Sequence, residues 1–179
     1  KKVDYLNWEF NLIKSDEINA FALPGGKIAF YTGIMPIAKN DAGIAAIMGH
    51  EIGHVIAGHH AEGQSNQTAA GIILFGKQMA DVLTGGATSV VSNDLVSQGL
   101  NLGLLKFNRT QEYEADKYGL IFMAMAGYNP EEAVELWKRM AAAGGSQGPE
   151  FLSTHPDTTN RIKKLQEYLP EAMKYYNQQ

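Results

Sequence analysis

The segment Ile47–His60 reads IMGHEIGHVIAGHH and contains four of the five histidines of this 179-residue chain. His50 and His54 stand four positions apart, and Glu51 lies beside the first of them. Side chains four residues apart share one face of a helix, so both imidazoles can bind one metal ion. Glu51 would then lie where it can take a proton from a water molecule bound to zinc. The segment predicts a helix with a zinc site and a general base, a set suited to amide hydrolysis.

The alternative for this segment is a polar helix face that carries two ordinary histidines. Its apolar neighbours argue against that interpretation, since they predict a mostly buried helix in which charged groups need partners. These neighbours are Ile47, Met48, Ile52, Val55 and Ile56.

Two histidines do not complete a catalytic zinc site, which usually has three protein ligands and one open position. His155, the fifth histidine, is one candidate for the third ligand, and a carboxylate from the segment RTQEYEAD is the other. In a helix, Glu112 and Asp116 share a face while Glu114 points away. One of the pair would bind zinc and the other would hold a ligand histidine by its second nitrogen. The alternative is a solvated acidic start of a helix.

Composition limits the possible functions. Hydrophobic residues make up 45% of the chain and charged residues 19%, as in an ordinary globular protein. The net charge is −4 without a cluster of Lys and Arg, which argues against a nucleic-acid partner. The chain has no cysteine, so disulfides, thiolate ligands and a cysteine nucleophile are excluded. The longest apolar run, Ala69–Gly76, is too short for a transmembrane segment.

The order of patterns predicts a single α+β domain over residues 1–179, predominantly α-helical, with strands first and helices after them. The chain does not begin with Met, and we expect it to be the mature or trimmed part of a longer precursor. Strands are predicted in Tyr5–Ile13 and in a hairpin around Pro24, and helices at 40–61, 68–83, 108–127, 129–145 and 158–177, the last one interrupted at Pro170. The segment 84–99 is predicted to be a loop or a loose helix, and 148–160 a connector.

Four motifs in this order resemble those of the M48 zinc metallopeptidases, which are gluzincins, and the soluble bacterial branch fits best. The motifs are NAFALPGGKIAFYTG, HEIGHVIAGH, NRTQEYEAD and THPDTTNRI, and the resemblance covers Asn19 to Leu165. It implies a zincin (gluzincin-like) fold with a small N-terminal β-sheet and an HExxH active-site helix. It also implies one Zn²⁺ per chain and endopeptidase activity.

The resemblance assigns a role to each matching residue. The implied zinc ligands are His50, His54 and Glu112, and Glu51 is the implied general base that activates a zinc-bound water. Asp116 would orient a ligand histidine, most simply His50. His155 would stabilise the oxyanion, or cap the zinc as a fourth ligand in a latent form. Arg161 would buttress the site or bind a carboxylate. His59 and His60 match no ligand position and are expected to be solvated.

The stretch Asn19, Ala20, Phe21 and Ala22 matches the edge strand on which gluzincins bind substrate as an added strand. This implies extended, unfolded or misfolded polypeptide substrates, and a periplasmic or envelope-associated role in protein quality control. The rival hypothesis is a chaperone-like, client-binding factor whose zinc site is held latent by His155. Neither the residues nor the resemblance predicts an oligomeric state.

Overall fold

The computed structural model describes residues 6–23, 25–60, 107–143, 150–155 and 158–177. A three-stranded sheet comes first, with β1 (Glu9–Ile13), β2 (Ala20–Leu23) and β3 (Lys27–Tyr31) in the order β1-β3-β2. The predicted hairpin is confirmed as the antiparallel pair β2 and β3, while β1 runs parallel to β3. The first strand begins at Glu9, later than predicted. Within this sheet β2 is an edge strand, and its outer side faces the helices.

The helices follow the sheet, as the sequence predicts. After a 3-10 turn at Thr32–Ile34 they are α1 (Met35–Ala38), α2 (Asp41–Ala57), α3 (Arg109–Met125), α4 (Glu131–Ala143), α5 (Glu150–Thr154) and α6 (Thr158–Tyr176). The described part of the chain is thus mainly helical with a small sheet. The predicted helix at 68–83 and the predicted loop at 84–99 lie outside the described residues.

Two helix predictions and the predicted connector were wrong in detail. Helix α2 ends at Ala57, before the predicted end at residue 61, because Gly58 adopts φ +82°, a left-handed conformation that ends helices. The predicted connector contains the short helix α5. The last helix is not interrupted, since Pro170 lies inside α6. Pro170 is exposed, so the carbonyl group that loses its partner there can be hydrated.

Side chains fix where the two central helices begin. The Asn40 side chain accepts a hydrogen bond from the Gly43 N–H at 2.8 Å, which caps α2. At the start of α3, Asn108 and Gln111 form a reciprocal capping box, each side chain bonding the backbone N–H of the other at 3.0 Å. These caps set the first turns of both helices and therefore the rotation of the faces that follow.

Helices α2 and α3 cross in backbone contact. A Cβ atom placed on Gly49 would lie 2.7 Å from the carbonyl oxygen of Gly119, and one on Gly53 would lie 2.8 Å from that of Ala115. A Cβ on Gly119 would lie 2.8 Å from the amide nitrogen of His50. No side chain fits at these three glycines without separating the helices. The crossing brings the histidine face of α2 within reach of the carboxylates of α3.

A continuous hydrophobic core joins the sheet to the helices. It includes Ile28 of β3, Ile47 of α2, Leu120 of α3, Leu136 of α4 and Leu165 of α6, all nearly inaccessible to solvent. The polar residues described below are enclosed by this core. Among the helices in the described ranges, none combines the length and apolar character that crossing a membrane requires.

Candidate active site

Helix α2 places the HEIGH motif toward the protein interior. His50, Glu51 and His54 are each at most 2% exposed, and they lie in the second half of the helix, with His54 in its last turn. The Nε2 atoms of the two histidines are 3.1 Å apart. One turn of helix is therefore sufficient to aim both imidazoles at one point.

Glu112 on α3 faces this pair. Its Oε1 lies 3.3 Å from His54 Nε2, and its Oε2 lies 3.5 Å from His50 Nε2. The side chain is fully buried. Of the carboxylates predicted to compete for this position, Glu112 is the one that the helix crossing brings to both histidines.

His155 completes a cluster of four potential ligands. Its Nδ1 lies 3.1 Å from His50 Nε2 and 3.0 Å from Glu112 Oε1. Zinc ligands at about 2.0–2.1 Å in a tetrahedron are separated from one another by about 3.3 Å. The ligating atoms of His50, His54, Glu112 and His155 all lie within 4.8 Å of one another, so the cluster could hold a metal ion.

The two helix histidines are held in the neutral form that metal binding requires. Burial, followed by the nearby charge of Arg161, lowers the pKa of His50 to about 4. Burial likewise holds the pKa of His54 well below its usual range. Burial alone would raise the pKa of Glu112, but the charges of His155 and Arg161 hold it well below its usual range. These groups therefore present two neutral imidazoles and one carboxylate.

Asp116 and Arg161 contact the side chains of the cluster: Asp116 contacts His50, and Arg161 contacts Glu112. Asp116 Oδ1 lies 2.9 Å from His50 Nδ1, the nitrogen of His50 that faces away from His54. Arg161 on α6 donates from Nε to Asp116 Oδ2 at 2.8 Å and lies 2.6 Å from Glu112 Oε2 through its Nη1. Its guanidinium carbon lies 3.5 Å from the centre of the Trp137 ring. Arg161 thus contacts both carboxylates that face the histidines, and it is fully buried.

Glu51 lies beside the cluster and against the edge strand. The Ala22 backbone N–H donates a hydrogen bond to Glu51 Oε2 at 2.9 Å. The other oxygen, Oε1, is buried without a hydrogen bond and lies 3.4 Å from His155 Nε2. Burial raises the pKa of Glu51 to about 7. A carboxyl group with this pKa can both take and return a proton near neutral pH.

The predicted substrate strand lies next to Glu51. Ala20, Phe21 and Ala22 belong to edge strand β2, and Asn19 precedes it. The Ala22 N–H points away from β3, since it reaches Glu51. The Asn19 side chain is buried, and its Oδ1 has no hydrogen-bond partner in the described structure. Phe21 makes an edge-to-face contact with Tyr31.

His59 and His60 contradict their prediction as solvated residues. They are 1% and 7% exposed, because the turn at Gly58 directs the chain back toward the site. His59 Nδ1 lies 3.0 Å from His54 Nδ1, and its Nε2 lies 3.3 Å from Glu114 Oε2. His60 hydrogen-bonds the Ala22 backbone. In the sequence, Gly58 directly before these two histidines was the signal that the helix ends in a turn.

A pair of histidines on one helix that shares a cluster with a carboxylate from a second helix is typical of metal-dependent hydrolases. The sequence profile described as "Peptidase family M48" matches residues 1–169. The chain belongs to this family of metallopeptidases.

Known relatives carry related names. The mitochondrial metalloendopeptidase OMA1 of Schizosaccharomyces pombe is 41% identical over 93% of this chain, and that of Saccharomyces cerevisiae is 35% identical over 98%. The beta-barrel assembly-enhancing protease of Escherichia coli K12 is 28% identical over 87% of the chain. The matches cover 48%, 51% and 33% of these relatives, so the chain spans about half of their length or less.

Proposed function

We propose that this chain is the catalytic domain of a zinc-dependent endopeptidase that cleaves unfolded or misfolded polypeptides. The observation that carries the proposal is the convergence of His50, His54 and Glu112, whose ligating atoms lie 3.1–3.5 Å apart inside the protein. These three residues are the proposed metal ligands. The proposal treats residues 1–169, which match the family, as the core of one zincin (gluzincin-like) domain that spans the chain, with α2 as its active-site helix.

The chemistry of the cluster fits a dication, and zinc best. Imidazole nitrogens with one carboxylate are a common ligand set for catalytic zinc. The cluster also holds three buried carboxylates, those of Glu51, Glu112 and Asp116, against the guanidinium of Arg161 and the imidazole of His155, whose pKa is raised by Glu112 and Glu51 despite its burial. Buried charges require compensation, and a divalent cation would supply it. When bound, zinc would act as a Lewis acid on the attacking water and the substrate carbonyl.

Glu51 is the proposed general base. Its Oε1 has no hydrogen bond in the described structure, and it faces the cluster from the side of the edge strand. It would take a proton from the attacking water and pass that proton to the nitrogen of the leaving amine. The hydrogen bond from Ala22 holds the other oxygen and so fixes the direction of the carboxylate.

We further propose that substrate pairs with the outer edge of β2. The backbone of an extended polypeptide would align beside Ala20 and Ala22 and bring one peptide bond to Glu51. Backbone pairing selects extended chains over particular side chains, which fits unfolded or misfolded substrates. The unpaired Oδ1 of Asn19 is placed to accept a hydrogen bond from a substrate amide.

His155 would control access to the site. Its Nδ1 lies among the ligating atoms, where it would take the fourth position that a catalytic zinc leaves open. Substrate would then enter only after this imidazole moves aside. Once displaced, it is placed to donate a hydrogen bond to the oxyanion. Asp116 and Arg161 would hold His50 and Glu112 during this movement.

The names of the relatives support a role at a cellular envelope. One set is called mitochondrial, and the bacterial protease is named for beta-barrel assembly. We therefore propose envelope-associated or periplasmic protein quality control for the protein to which this chain belongs. A second candidate, a client-binding factor with little catalysis, is favoured by one observation, the position of His155 Nδ1 among the ligands.

Digestion of a permanently unfolded protein tests the proposal directly. The wild-type chain with Zn²⁺ is expected to cleave it, and a chelator should abolish cleavage. Glu51→Gln should bind Zn²⁺ at the same stoichiometry and lose at least about 10²-fold in rate, the usual contribution of a general base. Equal rates for the variant and the wild type would refute the role of Glu51. Binding of the unfolded protein without cleavage by either would favour the second candidate.

A further inference from the structure

The residue that follows the turn after α2 lies directly behind a proposed metal ligand. Gly58 ends the helix in a left-handed conformation, and its N–H bonds the carbonyl groups of His54 and Val55. The next residue, His59, is therefore folded back against the helix and is 1% exposed. Its Nδ1 lies 3.0 Å from His54 Nδ1, with ring centroids 5.0 Å apart and the ring planes at 73°.

A carboxylate lies on the far side of the same imidazole. His59 Nε2 is 3.3 Å from Glu114 Oε2, and Glu114 belongs to α3. The Glu114 side chain is 49% exposed, in contrast to the other acidic residues of the site. His54, His59 and Glu114 thus form a line from the metal-binding cluster to the protein surface.

The protonation pattern of this line is fixed by hydrogen bonding, provided that His54 binds the metal through Nε2 as proposed above. A neutral imidazole that ligates through Nε2 carries its proton on Nδ1. His54 Nδ1–H then donates to His59 Nδ1, which must accept. The proton of His59 accordingly lies on Nε2 and is donated to the Glu114 carboxylate. Every nitrogen has one role, and none is left without a partner.

We propose that His59 is a positioning residue for the metal ligand His54, and that Glu114 holds His59 in the required tautomer. A metal-bound histidine generally donates its second N–H to a carboxylate or carbonyl group that fixes the ring. Asp116 does this directly for His50, at 2.9 Å and fully buried. For His54 the same task is done through an intervening imidazole. The inference rests on the proposed zinc site. It adds two residues, His59 and Glu114, to the proposed ligands and their supporting residues.

Two isosteric variants separate positioning from packing. In His59→Asn the side-chain carbonyl oxygen can occupy the place of Nδ1 and still accept from His54. In His59→Gln the amide group reaches the place of Nε2, which keeps the contact with Glu114 and loses the one with His54. His60→Asn is the matched control, because His60 lies in the same buried turn and its ring packs against His54 with centroids 6.2 Å apart, but its Nδ1 makes no hydrogen bond in the described structure.

The measurement is the rate at which Zn²⁺ passes from the loaded chain to a chromogenic chelator in excess. We expect release to be about 10–100-fold faster for His59→Ala and His59→Gln, the usual effect of losing such a support. His59→Asn should stay within a few-fold of the wild type, and so should His60→Asn. The visible spectrum of the Co²⁺-loaded chain should change in the same two variants that release Zn²⁺ quickly.

Other outcomes would overturn the inference. The first is release of Zn²⁺ from His59→Gln at the wild-type rate. The second is that His59→Asn and His59→Gln accelerate Zn²⁺ release equally and lower the thermal stability of the metal-free chain equally. That second result would mean a purely structural role. Failure of the zinc site itself is distinguishable, since the wild type would then bind no Zn²⁺ or His54→Ala would bind it equally well. The inference about His59 would fall with it.

Discussion

The Ala22 backbone N–H donates a hydrogen bond to Glu51 Oε2 at 2.9 Å, although the two residues are 29 positions apart in the sequence. Ala22 belongs to strand β2 and Glu51 to helix α2. The hydrogen bond joins the proposed substrate strand to the proposed base. It leaves the outer backbone of β2 partly occupied by the protein's own side chains, because His60 bonds the Ala22 backbone as well. An incoming polypeptide must therefore compete with Glu51 and His60 for this one residue.

Replacing the donor at this edge tests the proposed pairing together with the orientation of Glu51, which the same N–H fixes. Ala22→Pro removes the N–H that faces Glu51 and leaves the hydrogen bonds of β2 to β3 in place, since proline is tolerated at sheet edges. We expect cleavage of an unfolded protein to fall at least several-fold while Zn²⁺ content is retained. Unchanged cleavage in a variant that melts like the wild type would exclude Ala22 from substrate binding.

The contact between α2 and α3 predicts that Gly119→Ala is damaging. Its Cβ would lie 2.8 Å from the amide nitrogen of His50, so the helices must separate and carry Glu112 away from the histidines. We expect a loss of about 1–3 kcal/mol in unfolding free energy, typical of overpacking, together with weaker Zn²⁺ binding. Urea denaturation and a competition titration measure the two effects.

A matched control lies on the same helix. Lys117 forms a half-exposed ion pair with Glu171, and Lys117→Ala should cost less than about 1 kcal/mol without affecting Zn²⁺. If Gly119→Ala behaved like this control, the close crossing would not determine the geometry of the site.

Asp116 has two partners, and its replacement should show two effects. Asp116→Asn can no longer pair as an anion with Arg161, which is fully buried, and it weakens the support of His50 Nδ1. We expect Zn²⁺ affinity to fall about 10–100-fold. The metal-free chain should also lose stability, because the buried Arg161 would keep only Glu112 as an ion-pair partner in the site. A drop in affinity with unchanged stability would mean that Arg161 does not depend on Asp116.

His155→Ala tests the proposal that His155 occupies the fourth ligand position and so controls the entry of substrate. Removing the imidazole opens that position and should raise cleavage of a short unfolded peptide, with Zn²⁺ released faster in the chelator assay. The two readouts together are required, because faster release with slower cleavage would instead assign His155 to oxyanion stabilisation.

His50 should make the metal-free chain less stable on acidification. Burial lowers the pKa of His50 from 6.5 to about 4 in the folded protein. Between these two pH values the unfolded chain therefore binds a proton at His50 that the folded chain does not bind. The stabilisation is present above pH 6.5 and is lost as the pH falls toward 4, amounting to about 3 kcal/mol at most.

Two groups act in the opposite direction: burial raises the pKa of Glu51 to about 7, and the pKa of His155 is raised as well. Burial would lower the pKa of His155, but Glu112 and Glu51 raise it, so the contribution of His155 is present below pH 6.5 and is lost as the pH rises through the folded value. Urea titrations between pH 7 and 5 with a chelator present should therefore show a smaller slope for His50→Gln than for the wild type. Equal slopes for His50→Gln and the wild type would contradict the prediction for His50.

Local periodicity explains what the sequence could predict. The spacing of His50 and His54, and that of Glu112 and Asp116, follows from the helical repeat. The glycines after Pro24 were sufficient to predict the hairpin. Helix α5 was missed because five residues carry too little propensity to be recognised.

Contacts between distant segments could not be predicted in the same way. His155 meets His50 across 105 positions, and only packing decides that meeting. The burial of His59 depends on the left-handed conformation of Gly58, which ends α2 and turns the chain back toward the site. The predicted helix, which continued to residue 61, contained no such turn. Arg161 could be named only through the resemblance, since a single arginine has no spacing to interpret.

The bare contact of Gly49 with Gly119 has a consequence for how the protein matures. The proposed ligands come from two helices whose backbones must touch before the ligating atoms converge, so the unfolded chain contains no preformed site. The free energy of Zn²⁺ binding is then also free energy of folding. A thousandfold excess of free ion over its dissociation constant would add about 4 kcal/mol to stability. The proposed zinc would therefore act on the stability of the protein as well as on its chemistry, and in a compartment poor in zinc a smaller share of the chain would have this added stability.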